Sequence, residues 1–304
     1  MKIATILSLG AMVLTVPLSR ADVVGAWLFD ETGGDVITDS SGNGHHGVLV
    51  GKVERTPHGK RGKALEFFED EDGAPDWLWG HVLVPHHDDM NLLEFTVTAW
   101  IKVREFVEPG FGEGSISQTL VGKTSHISRS NYMMWIWGGG AGAEGQGGHV
   151  TIRFTVTKPL WASVSVNKTK AGANVIGGNW HHVAGTYKEP MLYLYVDGRE
   201  VGRRENEPIK NPNTDVKELP QPSFAINRGK EGPFMIGAQL IGLQHQGQKP
   251  SHGIAGFMDE VGLFNTALPE EEIGNIARRG LGQYLSVDLR KKLATTWSKI
   301  KARE

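Results

Sequence analysis

Asp39-Ser40-Ser41-Gly42-Asn43-Gly44 sets an oxygen-bearing side chain at every second residue and then a glycine. Ca²⁺ takes about 6–8 oxygens from carboxylates, amides, carbonyls and water, and a tight loop of this spacing can begin to wrap one. It is not an EF-hand: the twelfth position counted from Asp39 is Val50, where a bidentate Glu is required. Any further carboxylate must come from elsewhere in the chain. The same residues also suit a metal-free Asx turn, in which the side chains bond their own backbone.

A second group could hold sugars, whose C–H faces pack on aromatic rings. Asn131 to Trp137 reads as a strand with Trp135 and Trp137 on one face. Trp100 and Arg153 lie on the less apolar faces of their own strands. If these faces coincide, Trp100, Trp135, Trp137 and Arg153 line a groove; core packing is the competing use of each Trp. Trp77, Trp79 and Trp161 sit near loops, while Trp27 and Trp180 are assigned to the core. The pairs His45-His46, His86-His87 and His181-His182 invite a transition-metal reading. Adjacent strand residues face opposite ways, so no pair readily chelates one ion. His182 is read as a hydrogen-bonded core histidine.

Other chemistry lacks its motif. Gly-x-Ser-x-Gly and His-Glu-x-x-His are absent, which removes support for a serine hydrolase or a zincin. Gly122-Lys123-Thr124 imitates the end of a phosphate loop, but the glycine needed five residues earlier is Ser117.

The elements that must position these residues are mostly strands. Phe95 to Val103 and Val150 to Val156 alternate at period two, Trp180 to Tyr187 and Leu192 to Val196 follow, and Asp197-Gly198 is a hairpin signal. One helix is expected over Pro269 to Arg279, with Glu270, Glu271 and Glu272 at its positive end and Arg278 and Arg279 at its negative end. Gly138 to Gly148 and Glu205 to Pro233 read as long loops. Arg278 to Glu304 carries eight basic and two acidic residues and forms a basic tail.

The 304 residues have a formal net charge of −2, which gives no basic footprint and argues against nucleic acid as a partner. The absence of cysteine removes disulfides, thiolate zinc sites and a Cys nucleophile. Lys2, the apolar run from Ile3 to Val16 and Ser19-Arg20-Ala21 read as an export signal cleaved after Ala21. The expected location is secreted, periplasmic or cell-surface, of bacterial type, with no membrane span in the mature chain.

Seven phrases in order resemble one family: Val24 to Glu31, Asp39 to Gly47, Gly62 to Phe67, Phe95 to Val103, Trp180 to Tyr187, Leu194 to Gly198 and Gly256 to Phe264. The chain thereby resembles the laminin-G-like jelly rolls of the concanavalin A-like lectin/glucanase superfamily. That resemblance implies an all-β, two-sheet antiparallel jelly-roll sandwich, here with one short C-terminal helix and a basic tail. The implied division is 1–21 signal, 22–280 jelly roll and 281–304 tail. The fold would bring its first and last strands together, which makes Asp30 and Asp259 the extra carboxylates. The expected cofactor is a structural Ca²⁺ held by Asp30, Asp39, Ser41, Asn43 and Asp259. The Glu-x-Asp-x-x-Glu pattern of the superfamily's glucanases is absent, and Glu69-Asp70-Glu71-Asp72 reads as a loop. The expected function is a secreted, non-catalytic module binding an extracellular polysaccharide or glycan. The alternatives are a protein–protein adhesion or surface-structure domain that uses the 281–304 tail on surface proteins, and a polysaccharide-active enzyme with an unrecognised site.

Overall fold

Residues at alternate positions of a strand face opposite sides, so the apolar set of Phe95 to Val103 points one way and Thr96, Thr98, Trp100 and Lys102 the other. The computed structural model describes residues 23–68, 80–104, 116–124, 130–138, 150–157, 163–167, 175, 177–205, 232–241, 249–251 and 253–287. The expected signal at 1–21, the acidic run at 69–72 and most of the 205–233 loop lie outside them.

The described strands are β1 (Val23–Trp27), β2 (Val36–Ile37), β3 (Gly47–Val50), β4 (Val53–Thr56), β5 (Ala64–Phe67), β6 (His81–Val84), β7 (Phe95–Val103), β8 (Ile116–Thr124) and β9 (Ser130–Gly138). There follow β10 (Val150–Thr157), β11 (Ser163–Asn167), β12 (His181–Lys188), β13 (Met191–Val196), β14 (Arg199–Glu205), β15 (Phe234–Ile236), β16 (Gln239–Ile241), β17 (Lys249–Ser251) and β18 (Gly256–Phe264). Sheet A runs β14-β13-β12-β7-β18-β5-β4, with β1 also paired to β18. Sheet B runs β11-β10-β9-β8-β15-β6-β3-β2, and β16-β17 form a separate ribbon. The pairing of β1 with β18 is antiparallel, so the first and last described strands are neighbours, as expected.

Large aromatic rings join the two sheets. Trp27 of sheet A stacks on Phe234 of sheet B at 5.1 Å, and Phe95 of sheet A meets Tyr132 of sheet B at 4.4 Å. The Trp27 indole N–H donates to the His45 carbonyl at 2.8 Å, so the one polar atom of that buried ring is satisfied. Asp197-Gly198 makes the expected tight turn between β13 and β14, with φ of 51° and 78° at its two residues.

Helix α1 (Glu270–Arg279) has its acids in the first turn and its arginines in the last, and Gly280 at φ 90° ends it. A second helical segment spans 281–287, so there are two short helices where one was expected. Leu281 and Leu285, at the start of the expected tail, are buried with Leu268, Ile273 and Ile276 against Phe264, Ala184 and Tyr195 of sheet A. The outer face of sheet A is therefore partly a second core. Contact is close where α1 crosses the β13–β14 turn: a Cβ at Gly198 would lie 3.0 Å from the Gly274 Cα. No helix among the described residues is long and apolar enough to cross a membrane.

Trp27→Phe shortens the inter-sheet stack and leaves the His45 carbonyl without its donor. Urea unfolding is expected to show a loss of about 2–3 kcal/mol, and Trp27→Ala a loss of about 4 kcal/mol.

Candidate functional site

The register of sheet A lays its outer face out in rows. Glu66, Phe257 and Lys102 lie side by side on β5, β18 and β7; Asp259, Trp100 and His182 form the next row on β18, β7 and β12. Thr98 and Ala184 follow, then Phe264, Thr96 and Thr186 beneath the helices.

Trp100 is only 6% exposed, with the Lys60 ammonium 4.4 Å above its ring and His182 edge-on at 5.4 Å. Trp180, expected in the core, is half-buried on this outer face beside Phe257 at 6.2 Å. Arg104 lies 4.4 Å and Lys102 5.3 Å from the Phe257 ring. Cations thus already cover the ring faces at this end of the sheet.

The row of Asp259, Trp100 and His182 is buried and short of partners. Among the described residues, the Trp100 indole nitrogen, both His182 ring nitrogens and one Asp259 oxygen have no hydrogen-bond partner. His182 is therefore not the satisfied histidine expected from its sequence: it lies buried on the outer face, with no partner among the described residues for either ring nitrogen. Burial pushes its pKa down to about 4, against the pull of Asp197. Burial pushes Asp259 up to about 7, opposed by the Arg61 amide and reinforced by the charges of Glu260 and Asp30. A bulge in β18, with Glu260 at φ 46°, sets these two acids in succession at one edge of the helices.

A concave site lies further along the same face. Thr186, Lys188, Glu189, Met191, Tyr193 and Tyr195, with Ala267, Leu268 and Pro269, enclose a groove of about 340 Å³. Tyr193 and Tyr195 are two apart on β13, so they share a face; their rings lie 6.4 Å apart and 27° from parallel. Burial raises the Tyr195 phenol to about 12, although it shares a hydrogen bond with Thr186. Glu94 braces the groove by accepting from the Lys188 ammonium at 3.2 Å, the Thr266 hydroxyl at 3.0 Å and the Ala267 amide at 3.1 Å. Burial alone would raise Glu94, but these bonds outweigh it and hold the carboxyl below its usual value. Sequence reading missed this pair; the period-two spacing of Tyr193 and Tyr195 was the available signal.

The four residues expected in one groove are split between the sheets. Trp135 is half-buried on sheet B, on the opposite parity to the core residues Met134 and Ile136. Arg153 is directly opposite Trp135 in register, and Thr151 is opposite Trp137. Trp100 belongs to sheet A, so it cannot complete a groove with them. The side chains of Trp137 and Arg153 lie outside the described residues, as do Trp77, Trp79 and Trp161.

The five expected calcium ligands also form two groups. The amides of Ala26, Ser41 and His45 and the Ser41 hydroxyl all donate to the Asp39 carboxylate, at 2.8–3.0 Å. Ser41 Oγ accepts from the Asn43 amide, and Asn43 Nδ2 donates to the carbonyls of Val23 and Val24. This is the hydrogen-bonding pattern of an Asx turn, with both Asp39 oxygens engaged. Asp30 and Asp259 instead hold the loop after β4, accepting from the amides of Lys63 and Arg61 at 2.9 Å each. Among the described residues the two groups share no hydrogen-bond partner.

A family model described as the concanavalin A-like lectin/glucanases superfamily, laminin-G type, matches residues 79–274. No curated protein matches the chain in sequence. Among solved structures, the binding domain of botulinum neurotoxin DC in complex with rat synaptotagmin II is 14% identical, with a TM-score of 0.54. A structure described as showing that cell entry of botulinum neurotoxin type C depends on two ganglioside molecules is 12% identical, also with a TM-score of 0.54. The binding domain of Paraclostridial Mosquitocidal Protein 1 is 15% identical, with a TM-score of 0.51. Each alignment covers 84% of this chain and 51–52% of the other, so the chain spans about half the length of these solved chains. At such identities the likeness shows the fold alone.

Two outcomes follow from the geometry. Asp39→Ala should lower unfolding free energy by about 3 kcal/mol in urea, and Asp39→Asn, which keeps one acceptor oxygen, by less. The pH response of the buried row has opposing parts. Asp259, raised in the fold, adds stability at low pH that is lost as pH climbs from about 4 to about 7. His182, depressed in the fold, adds stability above about 6.5 that is lost as pH falls toward about 4. Asp259→Asn should therefore steepen the rise of stability between pH 4 and 6.5 and exceed wild type at pH 8. His182→Leu should do the reverse across the acid range; denaturant melts at stepped pH read both.

Proposed function

The chain belongs to the concanavalin A-like lectin/glucanases superfamily, and from that premise we propose that it is an exported, non-catalytic glycan-binding module. The observation that carries this reading is the groove walled by Tyr193 and Tyr195. It is concave, it sets the half-buried Tyr193 ring beside the buried Tyr195 ring, and it carries the exposed Lys188 and Glu189 at its rim. That combination matches a sugar, which offers C–H faces to aromatic rings and hydroxyls to polar side chains. A botulinum neurotoxin binding domain of this fold is described in complex with SialylT, and the type C toxin with two gangliosides. The export signal expected at 1–21 would deliver such a module to extracellular glycans.

A glycan array with the chain lacking residues 1–21, run in Ca²⁺ and again in EDTA with product analysis on each hit, tests the proposal. Binding without turnover is expected. Tyr193→Ala should weaken it about tenfold, the equivalent of about 1.4 kcal/mol of ring contact. Trp135→Ala, on the other sheet, should leave it unchanged. Loss of binding in EDTA that added Ca²⁺, but not Zn²⁺, restores would tie the expected calcium ion to the active form. Turnover would favour the enzyme reading, and a folded protein silent across the array would favour a protein receptor.

A further inference from the structure

Each adjacent histidine pair splits across its backbone, yet one member of each of two pairs meets the other. His45 lies between β2 and β3, and His87 lies after β6, immediately before the 3₁₀ turn Asp88–Met90. Both face the carboxylate of Asp89. His45 Nε2 is 2.8 Å from Oδ2, His87 Nδ1 is 2.8 Å from Oδ1, and the two rings are 4.8 Å apart. One ligand atom from each of the three residues lies within 4.8 Å of the others.

We propose that His45, His87 and Asp89 form a site for a borderline divalent transition ion, of which zinc is the type, with a fourth position open to water. Two imidazoles and one carboxylate suit that class of ion, whereas Ca²⁺ prefers an all-oxygen shell. Tetrahedral zinc with bonds of about 2.0–2.1 Å separates its ligands by about 3.3 Å. Seating an ion thus requires the two 2.8 Å contacts to open slightly and the imidazoles to approach. The exposed partners are the ones with room to adjust. His87 and Asp89 side chains are 61% and 45% exposed, while that of His45 is 5% exposed.

His45 is also fixed through its backbone. Its amide donates to Asp39 and its carbonyl accepts from Trp27. This presents one rigid nitrogen to two adjustable ligands. The charges around the site are also partnered. His86 approaches Asp88 at 3.3 Å, and the buried Lys123 ammonium contacts His86 Nδ1 at 2.8 Å and donates to the Gly232 carbonyl at 2.7 Å. The ion would staple the β2–β3 loop to the connection that carries the chain from sheet B into sheet A. Those ligands are 44 residues apart in sequence, so closing them restricts the unfolded chain.

The test uses the untagged chain with Zn²⁺ and, as a spectroscopic stand-in, Co²⁺. With Zn²⁺ about 100-fold above its Kd, the melting temperature should rise by about 5 °C or more. Co²⁺ should give the intense visible absorption of a low-symmetry tetrahedral or five-coordinate ion. His87→Ala and Asp89→Asn, both at exposed side chains, should each weaken Zn²⁺ binding at least about tenfold and abolish the cobalt band. His58→Ala, outside the cluster, should change neither. Wild-type protein with no thermal shift and no cobalt band would overturn the proposal, as would His87→Ala binding Zn²⁺ like wild type. Glycan binding is read separately, so neither result stands in for the other.

Discussion

The Asp39 carboxylate is the point on which the first third of the chain turns. It accepts from an amide of β1, from both donors of Ser41 and from the amide of His45, and its own amide donates to His46 Nδ1. A buried carboxylate is tolerated only when its lone pairs are filled, and here backbone and hydroxyl donors fill them. The loop they close holds the His45 carbonyl where Trp27 can reach it, and Trp27 in turn stacks on Phe234 across the core. Strand pairing, inter-sheet packing and the position of His45 are thus coupled through one side chain.

The second constraint is that sheet A is covered on both faces. An antiparallel sheet commonly leaves one face to water, but α1 and the segment at 281–287 enclose part of this one. The loop after β4 covers the neighbouring row, with Lys60 over the Trp100 ring and the Arg61 amide on Asp259, so Asp259, Trp100 and His182 lie buried together with atoms that have no partner among the described residues. Their opposed proton affinities arise from this one act of burial. Where the cover ends, the same sheet presents the tyrosine-walled groove, whose other wall is the segment Ala267 to Pro269 that leads into α1.

Much of the fold was legible because its signals are local. The alternation of Phe95 to Val103, the Asp197-Gly198 turn and the charge-graded helix needed only neighbouring residues. The site residues were harder because faces depend on partners distant in sequence. Parity put Trp135 and Trp137 on one face of their strand, but could not say which side the core takes or that Trp100 belongs to the other sheet. Parity also explained why His45-His46 cannot chelate, while giving no hint that His45 would meet a residue 42 positions away. Trp180 looked like core because aromatic strand residues usually are, yet the core side of β12 is taken by Val183 and Tyr187. The Asx-rich loop could be read as a cation cradle or a turn, and only the directions of its N–H groups separate the two arrangements.

The pairing of β1 with β18 also fixes how the sandwich meets mechanical load. Val23 at the start of β1 sits opposite Phe264 at the end of β18. In an antiparallel pair so arranged, tension between those two ends falls on the outermost hydrogen bonds first and opens the ladder one rung at a time. Such a seam peels at low force, whereas strands pulled lengthwise past each other must break their rungs together. A protein tethered through these ends would yield first along this seam, freeing β1 from Val23 inward until the load reaches the Trp27 stack.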